Sequence, residues 1–316
     1  MRILVTGAAG FIGSHIANSY AASGYEVFGI DNYENDLFFE VDDRVKMFRK
    51  DIRDRVDIAK IMREVKPDLV NHHAAKIDPR SSLSRPAEDT LTNYVGTINV
   101  VDCAAIAGCE KFIFASSCAV YGDVGAASEM IEGQVEFPNC PYGISKLASE
   151  KYVRLATKFK DMQAVVFRYP NVYGPDQHGT RSTGVIAIFA YQMARGERIT
   201  IYGDGTAQYQ YCEIHDIVQA NHDAQKYMSD NRGNPFLLVN LAAPAVSVND
   251  IAGMVQTQFK DYDICPIFAK PRSGEQYSIT MSGAAAKQML DWEPTISVQE
   301  GIVHVAEEAK IQLANS

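Results

Sequence analysis

The chain has 316 residues, 47% hydrophobic and 22% charged, a globular composition with length for one large domain or two modest ones. A net charge of −9 at pH 7 and a pI near 5.3 argue against nucleic acid or an anionic membrane as the main partner, so an anionic ligand must be met by local positive charge. No apolar run approaches the ~20 residues of a membrane span, and Met1-Arg2 leads directly into a strand-like Ile3-Leu4-Val5 with no secretory leader, which makes the cytoplasm the expected compartment.

Strand-like runs rich in Val, Ile and Phe fall at 3–6, 26–31, 45–51, 69–73, 111–117 and 164–169, with helical patterns at 11–23, 56–65, 87–107 and 142–159 between them. This alternation is the sign of βαβ units and a parallel sheet. Gly24 and Gly108 stand where C-terminal helix caps belong. Directly after the first strand, Gly7-Ala8-Ala9-Gly10-Phe11-Ile12-Gly13 opens a helix, the context in which glycines let a backbone approach a pyrophosphate. A tight turn alone would also use these glycines, but Asp31 ends the second strand 18 residues beyond Gly13, as a ribose-binding acid does. Its charge repels a 2′-phosphate, and no Arg or Lys lies between 32 and 40 to offset it, so NAD is favoured over NADP. Asp51-Ile52 closes the third strand, where an adenine could lie or where an aspartate could simply cap a helix.

His72 and His73 are adjacent on a strand and point to opposite faces, so they cannot both serve one site; His72 reads as a satisfied core histidine. Ser116-Ser117 ends the fifth strand, and Tyr142 and Lys146 lie four apart on one helix face. A phenol is a poor base at pH 7, and an ammonium held close favours the phenolate. The same spacing occurs on solvated helix faces. After Gly174 the alternation loosens through Pro175-Asp176-Gln177-His178-Gly179, a helix at 184–195 and Ile199-Thr200-Ile201-Tyr202-Gly203-Asp204-Gly205, which reads as a smaller lobe. The expected architecture is an α/β, Rossmann-type doubly wound parallel sheet over 1–175, rejoined by about 214–242. A smaller α/β substrate-binding lobe is expected from 176–213 and 243–316. The six cysteines show no CxxC pair or zinc spacing, so they read as buried free thiols, and no metal is assigned.

Six motifs in order carry a resemblance: Gly7-x-x-Gly10-x-x-Gly13, His73-Ala74-Ala75, Asn93-x-x-Gly96-Thr97, Ser116-Ser117-x-Ala119-Val120-Tyr121-Gly122, Tyr142-x-x-x-Lys146 and 168–175, Arg-Tyr-Pro-Asn-Val-Tyr-Gly-Pro. With Arg272-Ser273-Gly274-Glu275 and Leu290-Asp291-Trp292-x-Pro294 they resemble the extended short-chain dehydrogenase/reductase superfamily, in its NAD-dependent epimerase/dehydratase branch of nucleotide-sugar enzymes, across the whole chain. The resemblance implies Ser117, Tyr142 and Lys146 as catalytic residues. Ser117 would hold the sugar oxygen, Tyr142 would take the hydroxyl proton, and Lys146 would hold the nicotinamide ribose while lowering the phenol's pKa. It also implies NAD contacts from Gly7, Gly10, Phe11, Ile12, Gly13, Asp31, Asn32, Asp51 and Ile52 on the adenosine side. On the nicotinamide side come His73, Ala74, Ala75, Lys76, Asn93, Ser116, Tyr169 and Pro170. Asn171, Tyr202 and Arg272 would join Ser117 around the substrate.

Dehydratases of this resemblance carry an Asp-Glu pair after the catalytic Ser or Thr, and decarboxylases a Glu; here Cys118 and Ala119 fill those places. A 4-epimerase of a UDP-sugar, needing one acid/base and a retained NAD, is therefore the leading expectation. An NAD-dependent reductase or dehydrogenase and a non-catalytic NAD-binding regulator stand as alternatives. Cys118 has no adjacent cation in sequence and reads as a small hydrophobe. Tyr209-Gln210-Tyr211 replaces an Arg-Asp-Phe-like run whose arginine grips the diphosphate, and Arg181 and Arg198 lie nearby as substitutes or as solvated surface residues. The resemblance further implies a homodimer through a four-helix bundle of 87–107 and 142–159.

Overall fold

Runs such as Ile3-Leu4-Val5 and Phe112-Ile113-Phe114 are apolar without alternation, and the structure buries every one of these residues completely, as a parallel sheet covered on both faces requires. The structure is a computed structural model, and it describes residues 1–34, 39–122, 129–177, 184–259, 265–271 and 280–314. Seven parallel strands form the main sheet in the order Phe236–Asn240, Gln163–Tyr169, Lys111–Ser117, Leu69–His72, Arg2–Thr6, Glu26–Asp31 and Lys46–Arg49. The chain order reverses between Arg2–Thr6 and Leu69–His72, and a ligand crevice lies beyond the carboxyl ends of strands at such a reversal.

Helices cover both faces. Ile16, Ala17 and Tyr20 of Phe11–Ala22 pack with Ile217, Ala220 and Ala224 of Ile214–Asp230 on one side. On the other, Ile58, Ile61 and Met62 of Arg55–Val65 meet Val100, Val101 and Ala104 of Gly96–Ile106 and Val153 and Ala156 of Pro141–Phe159. A separate core joins helices Val185–Ala194, Val248–Thr257 and Val298–Ala314 around Tyr173 and Tyr211. Small sheets connect the two parts: Asn171–Tyr173 pairs with Gln208–Glu213, and Glu129–Met130 pairs with Thr280–Met281. No helix among the described residues is long and apolar enough to cross a membrane.

Gly24 and Gly108 both take positive φ just past helix ends, as C-terminal caps. The helix expected over 87–107 is real but interrupted. It runs as Pro86–Thr90, a wide π turn at Leu91–Val95, and Gly96–Ile106. Asn93 explains the wide turn, because its carbonyl accepts hydrogen bonds from the Thr97 and Ser149 hydroxyls at 2.6 and 3.0 Å, and π turns recur at functional sites. The third strand is shorter than 45–51, since the Asp51 carboxylate turns back to accept the Arg53 amide at 2.8 Å. A short helix at Pro79–Ser84, capped by Asp78 with proline at its first position, escaped the periodicity reading because it spans under two turns.

Candidate active site

The glycine turn is shaped by close backbone approach. Gly7 has φ +69°, and a Cβ there would lie 2.7 Å from the Ala74 amide; a Cβ on Gly13 would lie 2.0 Å from the Gly7 carbonyl oxygen. No side chain caps the start of helix Phe11–Ala22, leaving the positive end of its dipole for an anion. Asp31 sits at the neighbouring strand end, where its carboxylate accepts the Ala9 amide at 3.0 Å and the Tyr33 amide at 2.8 Å. Asn32 Nδ2 donates to Asp51 Oδ2 at 3.0 Å. Partial burial raises the Asp51 carboxyl, but bonds from Arg53 and Asn32 outweigh it and bring it to about 2. Ile52 is buried against Gly96, so it contributes wall rather than polar contact. A cradle closed to any Cβ, an uncapped helix start and a carboxylate at the second strand end together fit a dinucleotide.

His72 is satisfied within the core: its ring nitrogens meet Thr6 Oγ1 at 2.6 Å and Thr97 Oγ1 at 2.9 Å. His73 turns the other way, its Nε2 3.0 Å from the Tyr169 hydroxyl, which also accepts from Asn221 Nδ2 at 3.0 Å. Burial, followed by the Lys146 charge, pushes His73 down to about 3, so it is neutral at pH 7. Asn93 braces the next segment, accepting the Lys76 amide at 2.8 Å and donating to its carbonyl at 2.9 Å. Ala74 and Ala75 lie between these fixed points.

The acid/base group is built from two elements. Ser117 ends its strand and caps the turn Cys118–Val120, its Oγ accepting the Ala119 amide at 3.1 Å. Helix Pro141–Phe159 starts against this turn because residue 143 is glycine: a Cβ there would lie 2.5 Å from the Ala119 carbonyl oxygen. Cys140 Sγ caps the helix by accepting the Gly143 amide, and the Tyr142 amide donates to Ser82 Oγ. The result places Tyr142 against the Ser117 hydroxyl, with Lys146 one turn along the helix; the two are 8% and 4% exposed. Burial pushes the Tyr142 phenol above its ordinary value, with the Ser117 hydroxyl pulling against it. That is the reverse of what pairing with Lys146 alone suggests. Lys146 instead donates to the Ala115 carbonyl at 2.8 Å and stands 5.8 Å from the Tyr142 ring centroid. Burial lowers its ammonium to about 8, against the upward pull of Asp89 and Glu150.

Two buried acids that bond the Tyr142–Lys146 helix and its neighbours escaped the sequence reading. Asp89 accepts from Ser145 Oγ at 2.7 Å and from Asn93 Nδ2 at 2.8 Å. Glu150 accepts from Ser116 Oγ. The only sequence signal was spacing, since Asp89 precedes Asn93 by four and Glu150 follows Lys146 by four. Burial pushes the Cys118 thiol up to about 11, which keeps it from acting as a thiolate.

On the substrate side, Asn171 Nδ2 donates to the Gln210 carbonyl at 3.2 Å, and Pro170 separates it from Tyr169. Gln210 clamps Met281 main chain with both side-chain atoms at 2.9 Å, a structural use of the position beside Tyr209. Tyr209 meets Tyr211 edge-on with centroids 6.5 Å apart. Tyr202 is 38% exposed on its strand. Arg198 Nε donates to the Cys265 carbonyl at 3.0 Å. Arg272 and Arg181 lie outside the described residues.

Residues 3–237 match the NAD dependent epimerase/dehydratase family. The UDP-glucose 4-epimerase of Mycolicibacterium smegmatis is 32% identical over 314 residues, 97% of this chain and 98% of that protein. Among solved structures, the UDP-glucose 4-epimerase of Thermotoga maritima with UDP-glucose superposes with TM-score 0.93 at 31% identity, covering 99% of this chain and 100% of that one. That of Thermus thermophilus in complex with NAD gives TM-score 0.87 at 30% identity, covering 98% and 99%.

Proposed function

The chain belongs to the NAD-dependent epimerase/dehydratase family, and within it we propose an NAD-dependent UDP-hexose 4-epimerase that works through a transient 4-keto sugar. The observation that carries this reading is Ser117 at its strand end, against the start of the helix that bears Tyr142 and Lys146, followed by Cys118 and Ala119, neither of which can supply a further acid. Bound NAD supplies a reversible hydride acceptor for C4. Tyr142 takes the C4 hydroxyl proton and returns it after the keto sugar turns its other face. Ser117 donates to the sugar oxygen and links it to the phenol. Lys146 would hold the nicotinamide ribose, and its positive charge favours the phenolate.

Residues 1–175 with 214–242 bind the dinucleotide, through Gly7, Gly10, Phe11 to Gly13, Asp31, Asn32, Asp51, the stretch His73 to Lys76, Asn93 and Tyr169 to Pro170. Asn171 at the end of the first part and Tyr202 in the remainder would meet the substrate, with Arg272 assigned from its motif alone. Exposed Leu91, Val95 and Ile106 on one helical segment and Ile144, Leu155 and Phe159 on another support a homodimer through a four-helix bundle, since apolar surface on adjacent helices calls for a partner. Six free cysteines fit a reducing compartment, the cytoplasm.

The test is to incubate purified protein with UDP-galactose, UDP-N-acetylgalactosamine and UDP-galacturonate without added NAD. Interconversion of at least one sugar with its C4 epimer is expected. No interconversion, with net NADH formed only on another alcohol, would establish the dehydrogenase alternative that Tyr209 motivates.

A further inference from the structure

Ser117 lies on a strand while Tyr142 and Lys146 lie on a helix, so their chemistry depends on a gap between two elements. That gap is held from behind. Ser116 Oγ donates to Glu150 Oε1 at 2.5 Å, and Glu150 stands one helical turn beyond Lys146. The same carboxylate takes two bonds from Arg168, Nε to Oε1 at 2.9 Å and Nη2 to Oε2 at 2.7 Å. Arg168 is the register partner of Ser116 on the next strand. Its Nη2 also donates to Glu136 Oε1 at 2.8 Å, and its guanidinium lies 4.6 Å from the Tyr121 ring centroid. Arg168, Glu150 and Ser116 are 0%, 2% and 3% exposed. A buried ion pair is weak evidence of stability for its own sake, whereas a bidentate fork fixes both distance and angle.

We propose that Glu150, locked by Arg168 and Ser116, is a positioning residue that sets the separation of Ser117 from the Tyr142 and Lys146 face. The proposal rests on the catalytic reading of those three residues. The groups facing Lys146 are Asp89 from the helix Pro86–Thr90, His72 and His73 from the end of the central strand, and Tyr142 and Glu150 from its own helix. Both histidines are held neutral by burial, and burial also pushes the Asp89 carboxyl up, against the Ser145 bond and the Lys146 charge.

Glu150→Gln, Glu150→Asp, Ser116→Ala and Tyr142→Phe are assayed beside the unaltered enzyme for kcat, KM, bound NAD and the pH profile of kcat/KM. Glu150→Gln is expected to lower kcat ~10- to 100-fold with KM changed less than ~3-fold, the signature of misplacement. Its alkaline limb moves to lower pH, because a lost negative charge makes the ammonium easier to deprotonate. Glu150→Asp keeps the charge, so its limb stays in place while kcat falls. A folded Glu150→Gln with unchanged kcat and limb overturns the proposal; should that variant fail to fold, an unchanged kcat in Ser116→Ala overturns it. Full turnover by Tyr142→Phe would instead overturn the catalytic reading itself.

Discussion

Lys146 must be both buried and charged, and its neighbours decide which property wins. Burial alone lowers the ammonium, while Asp89 and Glu150 leave it near about 8, so it is largely protonated at pH 7. Activity that needs this ammonium is present below that value and lost as pH rises through it; the alkaline limb of kcat/KM is expected near pH 8, and a profile flat to pH ~10 would remove Lys146 from the proton balance. Tyr142→Phe is expected to abolish turnover, a loss of at least ~100-fold, while leaving NAD bound, checked by the absorbance of the released cofactor. Asp31→Asn removes the charge and one of the two oxygens that accept the Ala9 and Tyr33 amides, so NADP binding should strengthen relative to NAD by ~10-fold in a competition titration. Tyr142, Lys146 and Asp31 were legible because each belongs to a local pattern. Asp89 was not, because its partner Ser145 is 56 positions away and only the fold brings them together.

At the scale of elements, strands and long helices could be read from periodicity, and the glycine turn from its place between them. The reason for Gly7 and Gly143 could not, since it lies in a second segment: Gly7 faces Ala74, and Gly143 faces Ala119. Gly13→Ala would force a Cβ to within 2.0 Å of the Gly7 carbonyl oxygen. It is expected to destabilise the protein by about 1–3 kcal/mol and to release NAD, seen as a lowered urea midpoint and loss of cofactor on gel filtration. A Gly13→Ala protein that kept both would show that the turn relaxes. The π turn at Leu91–Val95 was hidden for a different reason. Its residues keep a helical pattern, and the Asn93 carbonyl that widens it takes one local bond from Thr97 and one from the distant Ser149.

For the whole molecule, the reversal of strand order fixes where a ligand can lie, and the alternating pattern foretold the sheet. The smaller lobe was harder to read, because strands such as Thr280–Met281 are two residues long and held by the Gln210 side chain. The exposed apolar faces of the two helical segments predict a dimer. Phe159→Glu, at a residue 77% exposed, should shift the protein to monomer in sedimentation velocity, and an unchanged mass would place the partner surface elsewhere. The central claim is that hydride leaves and returns to the same carbon while Tyr142 handles the proton. UDP-galactose labelled with deuterium at C4 tests it most directly: the account predicts UDP-glucose that retains the deuterium at C4 with none lost to water. Product carrying solvent hydrogen at C4, or no product, would contradict it.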